Sequence, residues 1–264
     1  MTDPELPSFD LVVATVDRDR ELGLMLESLE RQTHRGFRVL LVDQNDDDRI
    51  EQVLRQHDSL TVEHVRSERG LSRARNAGLD RVTADIVAFP DDDCVLPDDL
   101  LERAAARLAD HSLGGLTGRS PTGTSWKRDA ATLTRDNLWN RAISYTIFLR
   151  RSTVERVGAF DERLGLPSSS GEEIDYLIRA IDAGARIDYD PTIVVLHPEK
   201  PVDLSVVGAR DGASIGYILR KHRYPRRVVA RMLLRPAGGI VLDPRRARFH
   251  LSTLRGRLAG FRTT

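Results

Sequence analysis

The hydrophobic positions of the first hundred residues follow two rhythms in turn. Short, β-branched runs, Leu11-Val12-Val13-Ala14 and Val39-Leu40-Leu41-Val42, read as buried strands. Between them Leu22, Met25, Leu26 and Leu29 fall at helical spacing and predict an amphipathic helix over about 18–33. A polar helix over about 47–57, a strand over 61–65, a helix over 69–82 and a strand over 85–89 continue the series. Continuous apolar strands alternating with helices are the pattern of a parallel sheet covered on both faces. The fold class expected is therefore α/β. Ligands of such sheets bind at the carboxyl ends of the strands, where residues 15–17, 43–45 and 91–93 all stand.

The second half is less regular. Residues 143–150 read as a strand, and Ile174, Leu177, Ile178 and Ile181 recur at i, i+3, i+4 and i+7, which predicts a helix from Gly171 onward. Residues 187–189 and 193–196 read as two strands, the last running into His197-Pro198. Beyond Asp203 the pattern is helical, with breaks expected at Pro225, Pro236-Ala237-Gly238-Gly239 and Pro244. The expected organisation is one domain over 1–204, in halves of about 9–118 and 119–204, with a helical extension over 205–264.

Composition narrows this picture. With 264 residues, 40% apolar and 30% charged, the chain has enough material for a full core and is not a disordered sequence. Its single cysteine, Cys94, excludes an internal disulfide and a cysteine-based zinc site. The acidic start, Met1-Thr2-Asp3-Pro4-Glu5, lacks the features of a signal peptide, and no apolar stretch is long enough to span a bilayer, so a cytoplasmic location is expected. The formal net charge of zero hides an asymmetry: residues 205–264 carry 14 Lys/Arg against 2 Asp/Glu. A basic tail of this kind suits an anionic partner, whether a membrane surface, a lipid phosphate, a nucleic acid or the acidic body of the same chain.

Four features carry candidate chemistry, and each has an ordinary reading beside it. Asp91 and Asp93, two residues apart on an extended segment, point the same way and can offer oxygen ligands to Mg²⁺ or Mn²⁺. The run Asp91-Asp92-Asp93 is otherwise a solvated loop, with Asp98 capping the next helix. The stretch Arg69-Gly70-Leu71-Ser72-Arg73-Ala74-Arg75-Asn76 places guanidinium groups at a helix start, suited to a phosphate, or is simply a helix capped by Ser72. Ser170-Gly171-Glu172-Glu173 matches a capping box, while a free Glu172 or Glu173 would serve as a general base. His197, at a strand end, is either a satisfied histidine or a further metal ligand.

In this order the motifs resemble those of the family 2 glycosyltransferases, which have the A-type nucleotide-sugar (GT-A) fold, a Rossmann-like, mostly parallel sheet flanked by helices. The resemblance covers about residues 9–198. It rests on Val12-Val13-Ala14-Thr15-Val16-Asp17-Arg18, Leu41-Val42-Asp43-Gln44-Asn45, Gly70-Leu71-Ser72-Arg73-Ala74-Arg75-Asn76-Ala77-Gly78, the Asp91-x-Asp93 pair, and Phe160-Asp161-Glu162-Arg163-Leu164 followed by Gly171-Glu172-Glu173-Ile174-Asp175. It implies an inverting transfer from a nucleotide-sugar donor to a saccharide or lipid-linked saccharide in surface polysaccharide or glycolipid synthesis. Thr15, Asp17, Asp43, Arg75, Asp91 and Asp92 would bind the donor, and Asp93, Asp91 and His197 the Mn²⁺ or Mg²⁺. Glu173 or Glu172 would be the base, with Asp175 and Trp139 on the acceptor side. The family more often has Asp at the position of Glu173. The basic tail then suggests peripheral contact with an anionic membrane. A nucleotidyltransferase would also use aspartates and Mg²⁺, but it favours a Gly-rich, Lys-containing loop that is absent between Val16 and Leu24. A nucleic-acid binder would use the same tail, yet aromatic stacking residues are sparse there, so no nucleic acid is expected.

Overall fold

A computed structural model describes residues 6–122, 126–165, 170–198 and 203–263. The acidic residues 1–5, on which the reading of the N-terminus rested, lie outside the described residues. The donor half alternates as its periodicity predicts: β1 (Phe9–Thr15), α1 (Arg20–Glu30), β2 (Phe37–Asp43), α2 (Arg49–Leu54), β3 (Val62–Arg66), α3 (Leu71–Leu79), β4 (Ile86–Ala88) and α4 (Leu100–Leu108). Next come β5 (Gly115–Arg119), β6 (Ala131–Thr132), β7 (Phe148–Arg150), α5 (Arg151–Val157), α6 (Glu172–Asp182) and β8 (Ile187–Val194). Three helices close the chain: α7 (Leu204–Lys221), α8 (Arg226–Leu242) and α9 (Ala247–Arg262). One eight-stranded sheet runs β3-β2-β1-β4-β7-β5-β8-β6. Its first four strands are parallel, and β7 enters antiparallel to both β4 and β5.

Side chains on a strand alternate between faces, and the two halves of the core follow from that. Leu11, Val13, Val39 and Leu41 bury against α1 and α4, whereas Val12, Leu40, Val42 and Val87 bury against α3 and α6. Helix α3 lies so close to β1 that a Cβ on Gly78 would sit 2.4 Å from Val12, which explains the glycine ending the Arg-Asn-Ala-Gly motif.

Several boundaries differ from the sequence reading. The strand expected over 143–150 is only Phe148–Arg150, because Ser144–Thr146 winds into a 3₁₀ turn. The strands expected over 187–189 and 193–196 are one strand, β8, after which Leu196 pairs with Val95 in an isolated antiparallel bridge. The capping box does not form: Gly171, at φ +84°, is the N-cap of α6, and the Ser170 hydroxyl donates to Asp211 on α7. Nor does Ser72 or Asp98 cap a helix. The Ser72 hydroxyl donates to the Leu164 carbonyl, and Asp98 pairs with Arg31. The expected break at Pro236 is absent, since Pro236 lies buried inside α8. A proline there leaves the carbonyl of residue i−4 without its helical donor. That carbonyl belongs to Met232, and the Arg257 guanidinium of α9 donates to it instead.

Helices α7 and α9 meet backbone to backbone. Gly208, Gly212 and Gly216 on one face Gly256 and Gly260 on the other, and a Cβ on Gly212 would stand 2.6 Å from the Thr253 carbonyl. Side-chain volume is excluded from this contact, so close approach replaces interdigitation as the source of packing.

Candidate active site

Three strand ends and one helix start converge. Thr15 and Asp43 are register partners at the ends of β1 and β2. The Thr15 hydroxyl donates to Asp92 across the gap to β4 at 2.8 Å, and the Asn45 side chain accepts from the Asp17 backbone at 2.7 Å. Asp17 takes φ +55°, uncommon for a residue with a Cβ, to turn the chain away from the sheet. The Gln44 side chain receives the Gly70 backbone N–H and so ties the start of α3 to the same edge. Helix α3 in turn holds the segment after α5. The Asn76 carboxamide accepts from the Phe160 N–H and donates to the Phe160 carbonyl, and Ser72, one turn away, binds Leu164. This accounts for the Ser-x-x-x-Asn spacing, which puts both side chains on one face.

The buried Asp43 is fully engaged. Its Oδ1 accepts from the Asn45 backbone and side chain, and its Oδ2 meets His64 and Arg66 of β3 at 3.0 Å each. Asp92 accepts from Thr15 and pairs with Arg18 at 2.5 Å; burial pushes its pKa up, opposed by that guanidinium. The same arginine reaches Asp93 at 2.9 Å, and His197 lies 3.1 Å from the other oxygen of Asp93. The His197 ring stacks on Tyr145 at 4.9 Å, and the Val95–Leu196 bridge fixes the backbone just before it.

Arg75 joins the two ends of the site. Almost fully buried, it pairs with Asp91 at 3.3 Å and with Glu172 at 2.7 Å, near the rings of Phe89 and Phe160. One guanidinium thus spans from the aspartate run to the first residue of α6. Burial, with Asp93 and Glu172 nearby, raises the Asp91 pKa to about 6 against the pull of Arg75. Glu173 is raised further, to about 8, by burial and then by the charge of Glu172. Asp175 behaves oppositely. Burial works to raise it, but His222 at 2.7 Å, Lys221 at 2.6 Å and Arg179 at 3.0 Å prevail and hold it below the ordinary value.

The carboxylates of Asp91 and Asp93 and the Cys94 sulfur lie within 4.8 Å of one another. Burial and the adjacent acids push the Cys94 thiol far above its usual range, so it stays protonated and is a poor ligand. The two carboxylates remain, with the His197 imidazole 3.1 Å from Asp93 beside them, and form an oxygen-donor pair that fits Mn²⁺ or Mg²⁺. Beside it opens a cleft of about 420 Å³, bordered by Gln44, Gly70, Asp91 and Asp92 and by the guanidinium groups of Arg18, Arg69 and Arg210. That volume suits a small-molecule ligand, and the cations suit an anionic one.

The structure therefore brings Thr15, Asp17, Asp43, Arg75, Asp91, Asp92, Asp93, Glu172, Glu173 and His197 to one edge. Trp139 is not among them: its indole N–H donates to the Arg135 carbonyl and its ring lies against Tyr224. Asp175 faces the tail helix through Lys221 and His222. Sequence reasoning missed Arg18, His64, Arg66 and Arg210 as partners of the site. Arg18 closes the first motif and was within reach; Arg210 comes from α7, and no local pattern marks it.

The model of the family described as Glycosyl transferase family 2 matches residues 10–162. Glycosyltransferase AglE of Haloferax volcanii is 24% identical over 212 residues, covering 74% of this chain and 68% of that protein. The pre-mycofactocin glycosyltransferase of Mycobacterium tuberculosis is 29% identical over 219 residues, covering 75% of this chain but 44% of the relative. Among solved structures, the mannosyltransferase PcManGT from Pyrobaculum calidifontis, in complex with GDP-Man and Mn²⁺, superposes with a TM-score of 0.72 at 16% identity, covering 98% of this chain and 88% of that one. S. aureus TarS 1-349 in complex with UDP-GlcNAc gives 0.66 at 17%, covering 96% and 90%.

Proposed function

The chain belongs to glycosyl transferase family 2, and from that premise we infer that it transfers a sugar from a nucleoside-diphosphate donor with inversion at the anomeric carbon. The acceptor in this reading is a saccharide or lipid-linked saccharide in surface polysaccharide or glycolipid synthesis. The observation that carries the reading is Arg75, a buried cation paired with Asp91 of the candidate metal-binding run on one side and with Glu172, the neighbour of the candidate base Glu173, on the other.

The donor would lie in the cleft at the strand ends. Asp43, at the end of β2 beside that cleft's Gln44, would meet the nucleoside, and Arg18, Arg69 and Arg210, which line the cleft, the diphosphate. Asp91, Asp93 and His197 would hold Mn²⁺ or Mg²⁺, whose bound charge offsets the negative charge that builds on the departing diphosphate. For Arg18 this means exchanging its carboxylate partners for donor phosphate. The acceptor hydroxyl attacks from the face opposite the leaving group, and Glu173 takes its proton. A carboxylate raised toward neutral pH is a better proton acceptor than an ordinary one, and the Glu172 carboxylate, committed to Arg75, is the weaker candidate. The basic tail would keep the enzyme at an anionic membrane where a lipid-linked acceptor lies.

Thermal stability measured with each nucleoside diphosphate and nucleotide sugar, with and without Mn²⁺, tests the donor site. Metal-dependent stabilisation by one of them is expected, and it disappears in Asp93→Ala. Stabilisation by none of them sinks the proposal.

A further inference from the structure

The outer face of the C-terminal helices has an unusual surface for a water-soluble chain. Leu234, Val241 and Leu242 on α8 are 68%, 75% and 85% exposed, the last two among the most exposed large apolar residues described. Arg227, Arg231, Leu234 and Val241 follow one another at i, i+4, i+7 and i+14, which places them on one stripe of the helix. Arg226 and Arg235 flank that stripe, Arg245, Arg246 and Arg248 follow it, and all five are exposed. Between residues 226 and 263 Asp243 is the single acid. The opposite side of α8 is occupied, with Val228 and Pro236 buried and Met232 held through Arg257. The face is thus firmly backed, apolar at its centre and cationic at its edges.

We propose that this face is a membrane-docking surface, on which α8 lies flat in the headgroup region of an anionic bilayer. Leucine and valine side chains enter the acyl boundary, and the arginines pair with lipid phosphates around them. No helix among the described residues is long and apolar enough to cross a membrane, so the geometry is that of a helix resting on the surface. A nucleic acid would satisfy the arginines but gains nothing from three exposed aliphatic side chains, and aromatic stacking groups do not accompany them. The bilayer accounts for both halves of the pattern. The consequence for function rests on the glycosyltransferase reading: α7, which is bound to α9, carries Arg210 into the donor cleft, so docking holds that cleft at a fixed distance from the lipid surface.

The test is sedimentation of the full chain with vesicles of phosphatidylglycerol and, separately, of phosphatidylcholine, across a range of salt. Binding to phosphatidylglycerol alone, weakened by salt, is the expected result. Each arginine replaced, starting with Arg227→Glu and Arg231→Glu, should lower the partition coefficient about fivefold or more. The combination Leu234→Glu, Val241→Glu and Leu242→Glu should lower it at least as far, while circular dichroism shows the fold intact. Absence of sedimentation with phosphatidylglycerol overturns the proposal. So does binding that the apolar substitutions leave unchanged, or binding that double-stranded DNA displaces equally well from the wild type and the apolar variant. Nucleotide-dependent thermal stabilisation, measured on the same preparations without lipid, reports separately on the donor site, so the failure of one reading leaves the other standing.

Discussion

Two short acidic segments face each other across the site, and the same residue type meets opposite fates in them. At the end of β4, the carboxylates of Asp91, Asp92 and Asp93 each meet a cationic or ionisable partner: Arg75, Arg18 and, for Asp93, also His197. At the start of α6, Glu172 is paired with Arg75 and Asp175 is held by Lys221, His222 and Arg179. Glu173, between them, has no ion pair among the described residues, and its pKa rises to about 8. The contrast teaches where a base can come from. Acids are plentiful on both segments, but Glu173 alone has no ion pair among the described residues, and it serves as a base in its deprotonated fraction, which grows as pH approaches about 8.

The contrast can be broken most sharply by Glu173→Gln. Turnover should fall by a factor of about 10²–10⁴, while metal-dependent donor stabilisation stays at its wild-type value. Near-normal turnover would pass the role to Glu172. Next in size is Arg75→Met, which leaves the buried Glu172 and the half-buried Asp91 with their shared cation gone. Breaking such a pair costs about 3–5 kcal/mol, seen as a Tm lower by roughly 10 °C. The loss should shrink at low pH, where the two acids take up protons. Asp175→Asn is expected to be milder, at about 1–3 kcal/mol, with turnover falling far less than in Glu173→Gln. A fall as deep as that of Glu173→Gln would make Asp175 a direct participant.

The smallest effect is in the pH dependence of stability, where the signs of the two residues differ. Between its ordinary value of 4.5 and about 8, folded Glu173 keeps a proton that the unfolded chain has released. Its contribution therefore declines as pH rises through that window, and Glu173→Gln should flatten the decline by a few degrees of Tm at most. Asp175, held below its ordinary value, contributes stability that is present above that value and lost as pH falls through the lower folded one. Asp175→Asn should therefore change the acid limb and leave the alkaline one alone. Calorimetry of both variants from acid to mildly alkaline pH checks the assignment.

How much of this was legible in the sequence depends on the range of the forces involved. The runs at 11–14 and 39–42 signal buried strands because both faces of the sheet are covered, and each strand end follows from where its run stops. Glu172 and Glu173 at a helix start follow from the spacing of Ile174, Leu177 and Ile178. The failures are long-range. The Ser-x-x-Glu pattern at Ser170 has the right local spacing, but Asp211 and Ser214 of α7 take the serine first. Pro236 would end an isolated helix, and only Arg257 from another helix makes it tolerable. Trp139, expected on the acceptor side from the resemblance, packs on Tyr224 and donates to the Arg135 carbonyl, the first of these 85 positions away in the chain. Arg210 lines the same cleft as Arg69 from 141 positions away in the chain, a convergence that no window of residues can reveal.

The grip of α7 on the residues around Gly171 also bears on how such proteins can be rearranged by recombination. Composition marks a natural joint near residue 204, where an acidic body meets a basic tail. The contacts ignore that joint: Ser214 holds Ser170, Ile218 packs against Gly171, and Lys221 spans Asp161 and Asp175. The tail is therefore not an interchangeable cassette. A chimera that keeps residues up to 203 and takes its last helices from another family member should fold poorly unless the donor tail restores these contacts. Descent with modification would have to alter both sides of the seam together.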